Sequence, residues 1–345
     1  MSDWPPPGDE ERRSPAGPSW STRAQGGQAG DAPPGTPMRL QPMNVGDVLD
    51  GMFRLLVRHW RTYVLALGVV LVPLNLLSSF TNYRVTGGLG LLDTLQDPSA
   101  GQAALSSGDV AQLVPLFGVT ALASLLVTPF VNGVATRIAA EGYLGAKPEP
   151  GESLRYTAGR YLSLLGATLL LVLTAIAMVI PAFVLFIAAA ATESAAVAVL
   201  AVVVFLLTLL AMVSLFSLVY PVVIVERAGP ATAVRRSFAL GRRRFWGILG
   251  IVILASIIAG IVGQVLSLVF SLPGQLLGDE AGLVLNAVGG VIAGLLTTPL
   301  TTGAQTLLYF DGRIRHEGMD LEMAARDLRG DDAPRDPYGA GGFTG

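Results

Sequence analysis

Val225 to Gly250 reads V-E-R-A-G-P-A-T-A-V-R-R-S-F-A-L-G-R-R-R-F-W-G-I-L-G and is lodged between two long apolar runs. With Pro230 opening a helix, Ala231, Val234, Phe238, Gly241 and Phe245 fall at spacings of three and four on one narrow stripe. Five arginines, Arg235, Arg236, Arg242, Arg243 and Arg244, lie outside it. This is the pattern of a helix lying in a membrane surface, its stripe in the acyl boundary and its arginines among anionic headgroups. The alternative is a solvated basic loop.

The unit recurs. Asn44 to Arg61, N-V-G-D-V-L-D-G-M-F-R-L-L-V-R-H-W-R, also precedes an apolar run. Asn44 with Asp47 three residues on makes an N-cap arrangement. Val45, Val48, Met52 and Leu55 form its apolar side, and Arg54, Arg58 and Arg61 share the polar face with Asp47 and Asp50. A shorter copy, Gly151 to Arg160, leads into Tyr161. Three copies predict one repeated unit, an amphipathic interfacial helix followed by a transmembrane hairpin.

Composition agrees with lipid contact. Of 345 residues 52% are hydrophobic and 14% charged, where a soluble domain carries nearer a quarter charged. The arginines sit in particular segments of a chain with net charge −2, which argues against a broad nucleic-acid surface. Without cysteine there are no disulfides and no thiolate chemistry. His59 and His316 both fall outside the apolar runs, so neither a histidine metal site nor any other cofactor is expected.

Residues 1–41 are rich in Pro, Gly and Ser and read as a disordered tail, as do 329–345. Between them, 42–328 form a membrane domain with spans at about 63–80, 111–138, 161–190, 195–225, 245–272 and 283–310. The sixty-odd apolar residues from Tyr161 exceed one span, so a tight turn is placed at Glu193. Beyond Asp311 the spacing of Leu321, Ala324, Ala325 and Leu328 predicts a further helix. Apart from Arg84, every Lys and Arg from Arg54 to Arg326 falls on the side that carries both termini. The positive-inside rule makes that side cytoplasmic. The opposite turns hold Asp93, Asp97, Asp109, Glu193, Asp279 and Glu280.

No ionisable residue lies deep in any run, which weighs against ion-coupled transport, proton relays and intramembrane proteolysis. Buried Asn, Gln, Ser and Thr then serve helix packing. Thr128-Pro129-Phe130-Val131-Asn132-Gly133 in the second run matches Thr298-Pro299-Leu300-Thr301-Thr302-Gly303 in the sixth as T-P-x-x-x-G, and Tyr220-Pro221 holds the comparable place in the fourth. Pro129, Pro221 and Pro299 are therefore expected to kink three helices at similar depth. Such kinks either line a central cavity or let splayed helices reach the surface segments.

As a set, Asn44 to Arg61, Val225 to Trp246 and Leu307 to Glu322 (L-L-Y-F-D-G-R-I-R-H-E-G-M-D-L-E) resemble the bacterial family known as the membrane domain of glycerophosphoryl diester phosphodiesterase. The likeness runs from about Leu40 to Leu328. It implies the fold, whereas the phosphodiesterase activity resides in a catalytic barrel of about 200 to 250 residues, which no soluble stretch here approaches. The expectation is a non-catalytic integral membrane protein. Arg54, Arg58, Arg61, Arg235, Arg236, Arg242, Arg243 and Arg244 would contact anionic lipid headgroups or a membrane or cytoplasmic protein partner. The alternative is a permease or lipid-translocating protein with a cavity near the three prolines.

Overall fold

The computed structural model describes residues 43–86, 110–276 and 279–317. The two expected tails, the acids Asp93, Asp97 and Asp109, and the spacing from Leu321 to Leu328 lie outside the described residues. Among the described residues the chain is helical, with no strand. In order the helices are α1 (Val45–Thr86), α2 (Val110–Tyr143), α3 (Pro150–Gly159), α4 (Tyr161–Thr192), α5 (Ala195–Phe216), α6 (Val219–Val225), α7 (Pro230–Arg243), α8 (Phe245–Leu276) and α9 (Asp279–Glu317).

Six stretches are long and apolar enough to cross a bilayer: Val45–Thr81, Gly118–Tyr143, Tyr161–Thr192, Ala195–Val225, Phe245–Gly274 and Ala281–Glu317. The chain is thus an all-α, multi-pass membrane protein, as expected. At 1.5 Å per residue α4 is about 48 Å long, more than the roughly 30 Å hydrocarbon layer, so it reaches both headgroup regions. Glu193 turns the chain at its far end in a left-handed conformation (φ 51°), and α5 returns. Only 6% of the most apolar window is buried in each of these two spans, against 33% in α8. The α4–α5 hairpin is therefore peripheral, and its Leu173, Ile180, Phe183 and Leu207 face outward, where lipid replaces protein contacts.

Burial concentrates at the arginine-rich end. Val48, Met52 and Leu55 of α1, Tyr143 of α2, Ile251 of α8 and Leu307, Tyr309 and Phe310 of α9 share one buried cluster with α6. In α6 every residue but Tyr220 is buried, so this short apolar helix is the pin of the cluster. A second cluster joins Tyr63, Leu67 and Leu71 of α1 to Val131, Val134 and Ile138 of α2.

The expected surface segments take three forms. In α7 and α3 a proline opens a separate helix, since its missing N–H is one the first turn leaves without an intrahelical acceptor. The first segment instead runs on into its span: nothing between Arg58 and Tyr63 stops a helix, and only His59 departs from helical geometry (φ −117°, ψ 21°). The bare face of Gly142 takes up that kink, because a Cβ there would meet the imidazole at 2.9 Å. At the other end of this segment the Asn44 N–H donates to Asp47 Oδ2 at 2.8 Å, half of a capping box.

The fourth span is interrupted one turn before Pro221, the place where a proline kink falls. The break is at Ser217–Leu218, and Pro221 is the third residue of α6. The missing N–H of Pro221 is the donor that the Ser217 carbonyl, four residues back, would otherwise take, so the interruption falls where a proline puts it. Pro129 and Pro299 lie inside helices, α2 and α9. Near Pro129 Tyr161 Oη donates to Leu126 O at 3.0 Å, and after Pro299 Thr302 Oγ1 donates one turn back to Thr298 O at 2.7 Å.

Candidate functional site

At the arginine-rich end the helices are held together by acids. Asp311, in the last turns of α9, is 1% exposed. Its Oδ1 accepts the Met43 N–H at 2.7 Å and Arg315 Nε at 2.8 Å, and its Oδ2 pairs with the guanidinium of Arg244. Arg315 also donates to Met43 O at 2.9 Å. One carboxylate thus fixes the entry to α1, the junction of α7 with α8, and the end of α9.

Glu226, which ends α6, has the same office for α7. Its Oε1 accepts Tyr309 Oη at 2.9 Å and Arg236 Nε at 3.1 Å. Arg236 pairs in addition with Glu317, whose Oε2 takes Arg313 Nε at 3.2 Å. Burial works against the charge on Arg236, but Glu226 and Glu317 outweigh it and raise the guanidinium pKa above its ordinary value. Ionic contacts of this kind fix one arrangement more than they add stability over apolar packing, yet removing one partner is costly.

α7 lies against α4, α5 and α6 through a face of small residues. Ala233, Ser237 and Gly241, four apart, are buried along with Leu240. A Cβ on Gly241 would stand 2.7 Å from Ser214 O and 2.8 Å from Leu215 Cα, so only glycine permits this approach. Ser237 Oγ donates to Leu215 O at 2.9 Å, and Ser214 Oγ to Phe245 O at 2.8 Å; the first serves a carbonyl that the end of α5 leaves open. Of the predicted stripe, Ala231 and Phe238 are exposed, Val234 and Phe245 half-buried, and Gly241 buried. The helix is held by the face beside the stripe, and Gly241 belongs to both.

A third ionic group lies across α2 and α3. The Arg137 guanidinium, buried near the end of α2, is 2.5 Å from Glu141 and 3.6 Å from Glu152, and it stands 4.0 Å from the centroid of the Tyr156 ring. Tyr156 Oη in turn donates to Ile224 O at 2.9 Å, which ties α3 to α6.

The eight arginines singled out from the sequence divide accordingly. Arg236 and Arg244 belong to the carboxylate hubs, and Arg54 pairs with Asp50 one turn away on the surface. Arg58, Arg61, Arg235, Arg242 and Arg243 are exposed, Arg61 lying 5.6 Å over Trp60. None of the eight lines the open concavity of about 860 Å³ at this end. That concavity is bounded by Gly151, Glu152, Arg155, Tyr156, Gly159, Arg160 and Arg227, and neither Pro129, Pro221 nor Pro299 borders it. Sequence reasoning marked α3 as a surface helix without selecting its arginines, and it missed Asp311, Glu226 and Arg137 as organising residues. The available signal was an acid with bases two and four residues on, as in Asp311-Gly312-Arg313-Ile314-Arg315.

Fold and site together define an all-α membrane protein of six spans with an ion-paired, arginine-rich face at one end. No family model, curated protein or solved structure matches the chain.

Proposed function

We propose that this protein is a non-catalytic membrane scaffold or accessory subunit that holds anionic lipid, and through it or beside it a protein partner, at a cytoplasmic arginine-rich face. The observation that carries this reading is the division of labour among the arginines. Arg236 and Arg244 are engaged by buried or half-buried carboxylates, so the end of the bundle is rigid. Arg235, Arg242 and Arg243 stand exposed on the helix so fixed, with Phe238 and Trp246 exposed beside them. Exposed bases flanked by exposed aromatics suit the boundary between headgroups and acyl chains. Both termini are then cytoplasmic by the positive-inside rule. The resemblance to the glycerophosphoryl diester phosphodiesterase membrane domain is, on this reading, one of fold without that activity.

The test is the lipid carried by the purified full-length chain. Arg235→Glu, Arg242→Glu and Arg243→Glu together should lower retained anionic lipid roughly tenfold or more, since each base near a charged surface contributes about 1 kcal/mol. Lipid mass spectrometry of both proteins reads the outcome, and equal retention at equal folding would sink the reading.

A further inference from the structure

Resting on the proposed affinity of this face for anionic lipid, we propose that the concavity between α3 and Arg227 is a discrete site for the phosphate-bearing headgroup of an anionic phospholipid. The site is separate from the arginines of α7. Its first wall is one face of α3: Gly151, Arg155 and Gly159 fall four apart, and Glu152, Tyr156 and Arg160 follow each by one. The opposite face is fixed inward, with Ser153 and Thr157 buried and Thr157 Cγ2 packed where Gly133 of α2 leaves room. This helix cannot roll its arginines away.

The second wall is Arg227. It holds a left-handed backbone conformation, φ 55°, which costs a side-chain-bearing residue about 1–2 kcal/mol and which glycine adopts freely. A glycine follows two residues later, at Gly229, yet the strained position carries an arginine. That turn sets Arg227 on the concavity beside Arg155 and Arg160.

Charge and size specify the occupant. Three guanidinium groups border the space against one carboxylate, and that one, Glu152, is 3.6 Å from Arg137 on its inner side. Such an excess calls for a phosphate-bearing anion, which guanidinium groups recognise by paired hydrogen bonds. The volume of about 860 Å³ is in the range of pockets that hold whole small ligands, and it exceeds what an isolated phosphate would fill. Position decides for a lipid. Arg160 immediately precedes α4, whose second residue, Leu162, is 80% exposed, so an acyl chain lying along α4 leaves its headgroup at the concavity. Basic pockets at the cytoplasmic ends of transmembrane helices are suited to multiply charged lipid headgroups.

The experiment is native mass spectrometry of the detergent-purified full chain titrated with phosphatidic acid, phosphatidylglycerol or phosphatidylcholine. Wild type is expected to take a saturable phosphatidic acid adduct more tightly than phosphatidylglycerol, and phosphatidylcholine least. Arg155→Gln with Arg160→Gln and Arg227→Gln should weaken that adduct by on the order of tenfold or more. Gly159→Glu should do the same without disturbing the fold, because a Cβ there meets no atom within 4 Å. The α7 variant Arg235→Gln, Arg242→Gln, Arg243→Gln should leave the saturable adduct in place. An adduct unchanged by both concavity variants overturns the site; if the α7 variant alone then loses lipid, the broader reading survives without it. If neither set changes lipid binding, both fail. Displacement of the adduct by millimolar inorganic phosphate would assign the site to a soluble anion and overturn the lipid.

Discussion

Asp311 shows how much can rest on one carboxylate. Its two oxygens meet a backbone N–H and two arginines from three parts of the chain, and it is almost wholly buried. Asp311→Asn keeps the shape and removes the charge that Arg244 and Arg315 face. Because those arginines remain about a third exposed, the loss is expected near 2 kcal/mol and below the full cost of breaking a buried pair. Arg54→Gln breaks an exposed pair with Asp50 and should cost less than about 0.5 kcal/mol. Thermal unfolding of both variants in detergent tests this contrast, and equal shifts would show that Asp311 is no hub. In the sequence Asp311 looks like the first residue of a tail. Its backbone partner, Met43, is 268 residues away, a distance that no local pattern of hydropathy or charge encodes.

Among the elements, α7 displays what periodicity conveys and what it omits. Spacing placed the helix and its opening proline correctly, but of the five stripe residues only Ala231 and Phe238 are exposed and Gly241 is buried. The face that holds it, Ala233, Ser237 and Gly241, is small rather than hydrophobic, and a hydropathy reading passes over it. Within a membrane such faces do the packing, since lipid already satisfies apolar side chains. Gly241→Ala must therefore push α7 off the backbone of Ser214 and Leu215, with an expected cost of about 1–3 kcal/mol. Phe238→Ala, at an exposed position of the stripe, should leave thermal unfolding nearly unchanged. A harmless Gly241→Ala would mean that α7 does not lie this close to α5. The break at Ser217–Leu218 was legible for a local reason: Pro221, four residues on, has no N–H for the Ser217 carbonyl.

For the whole molecule, six spans were legible because each satisfies a length that the bilayer imposes, whatever its partners. The arrangement of spans was not: the repeated sequence units gave no sign that the α4–α5 hairpin stands at the periphery while α6 is the buried pin. The arginines predict which end faces the cytoplasm, and the prediction can be tested directly, as the native chain has no cysteine. Glu193, at the exposed tip of the hairpin, lies a bilayer's width from the arginine-rich end, because α4 alone is about 48 Å long. Ser237 is a blind reporter, being buried against α5, whereas Arg235 on the same helix is exposed. A membrane-impermeant maleimide should label Glu193→Cys in intact cells and Arg235→Cys only after permeabilisation. The reverse pattern would invert the topology and carry the arginine-rich face, its concavity and the proposed lipid site to the outer leaflet. Labelling of both in intact cells would deny that the hairpin spans the membrane at all.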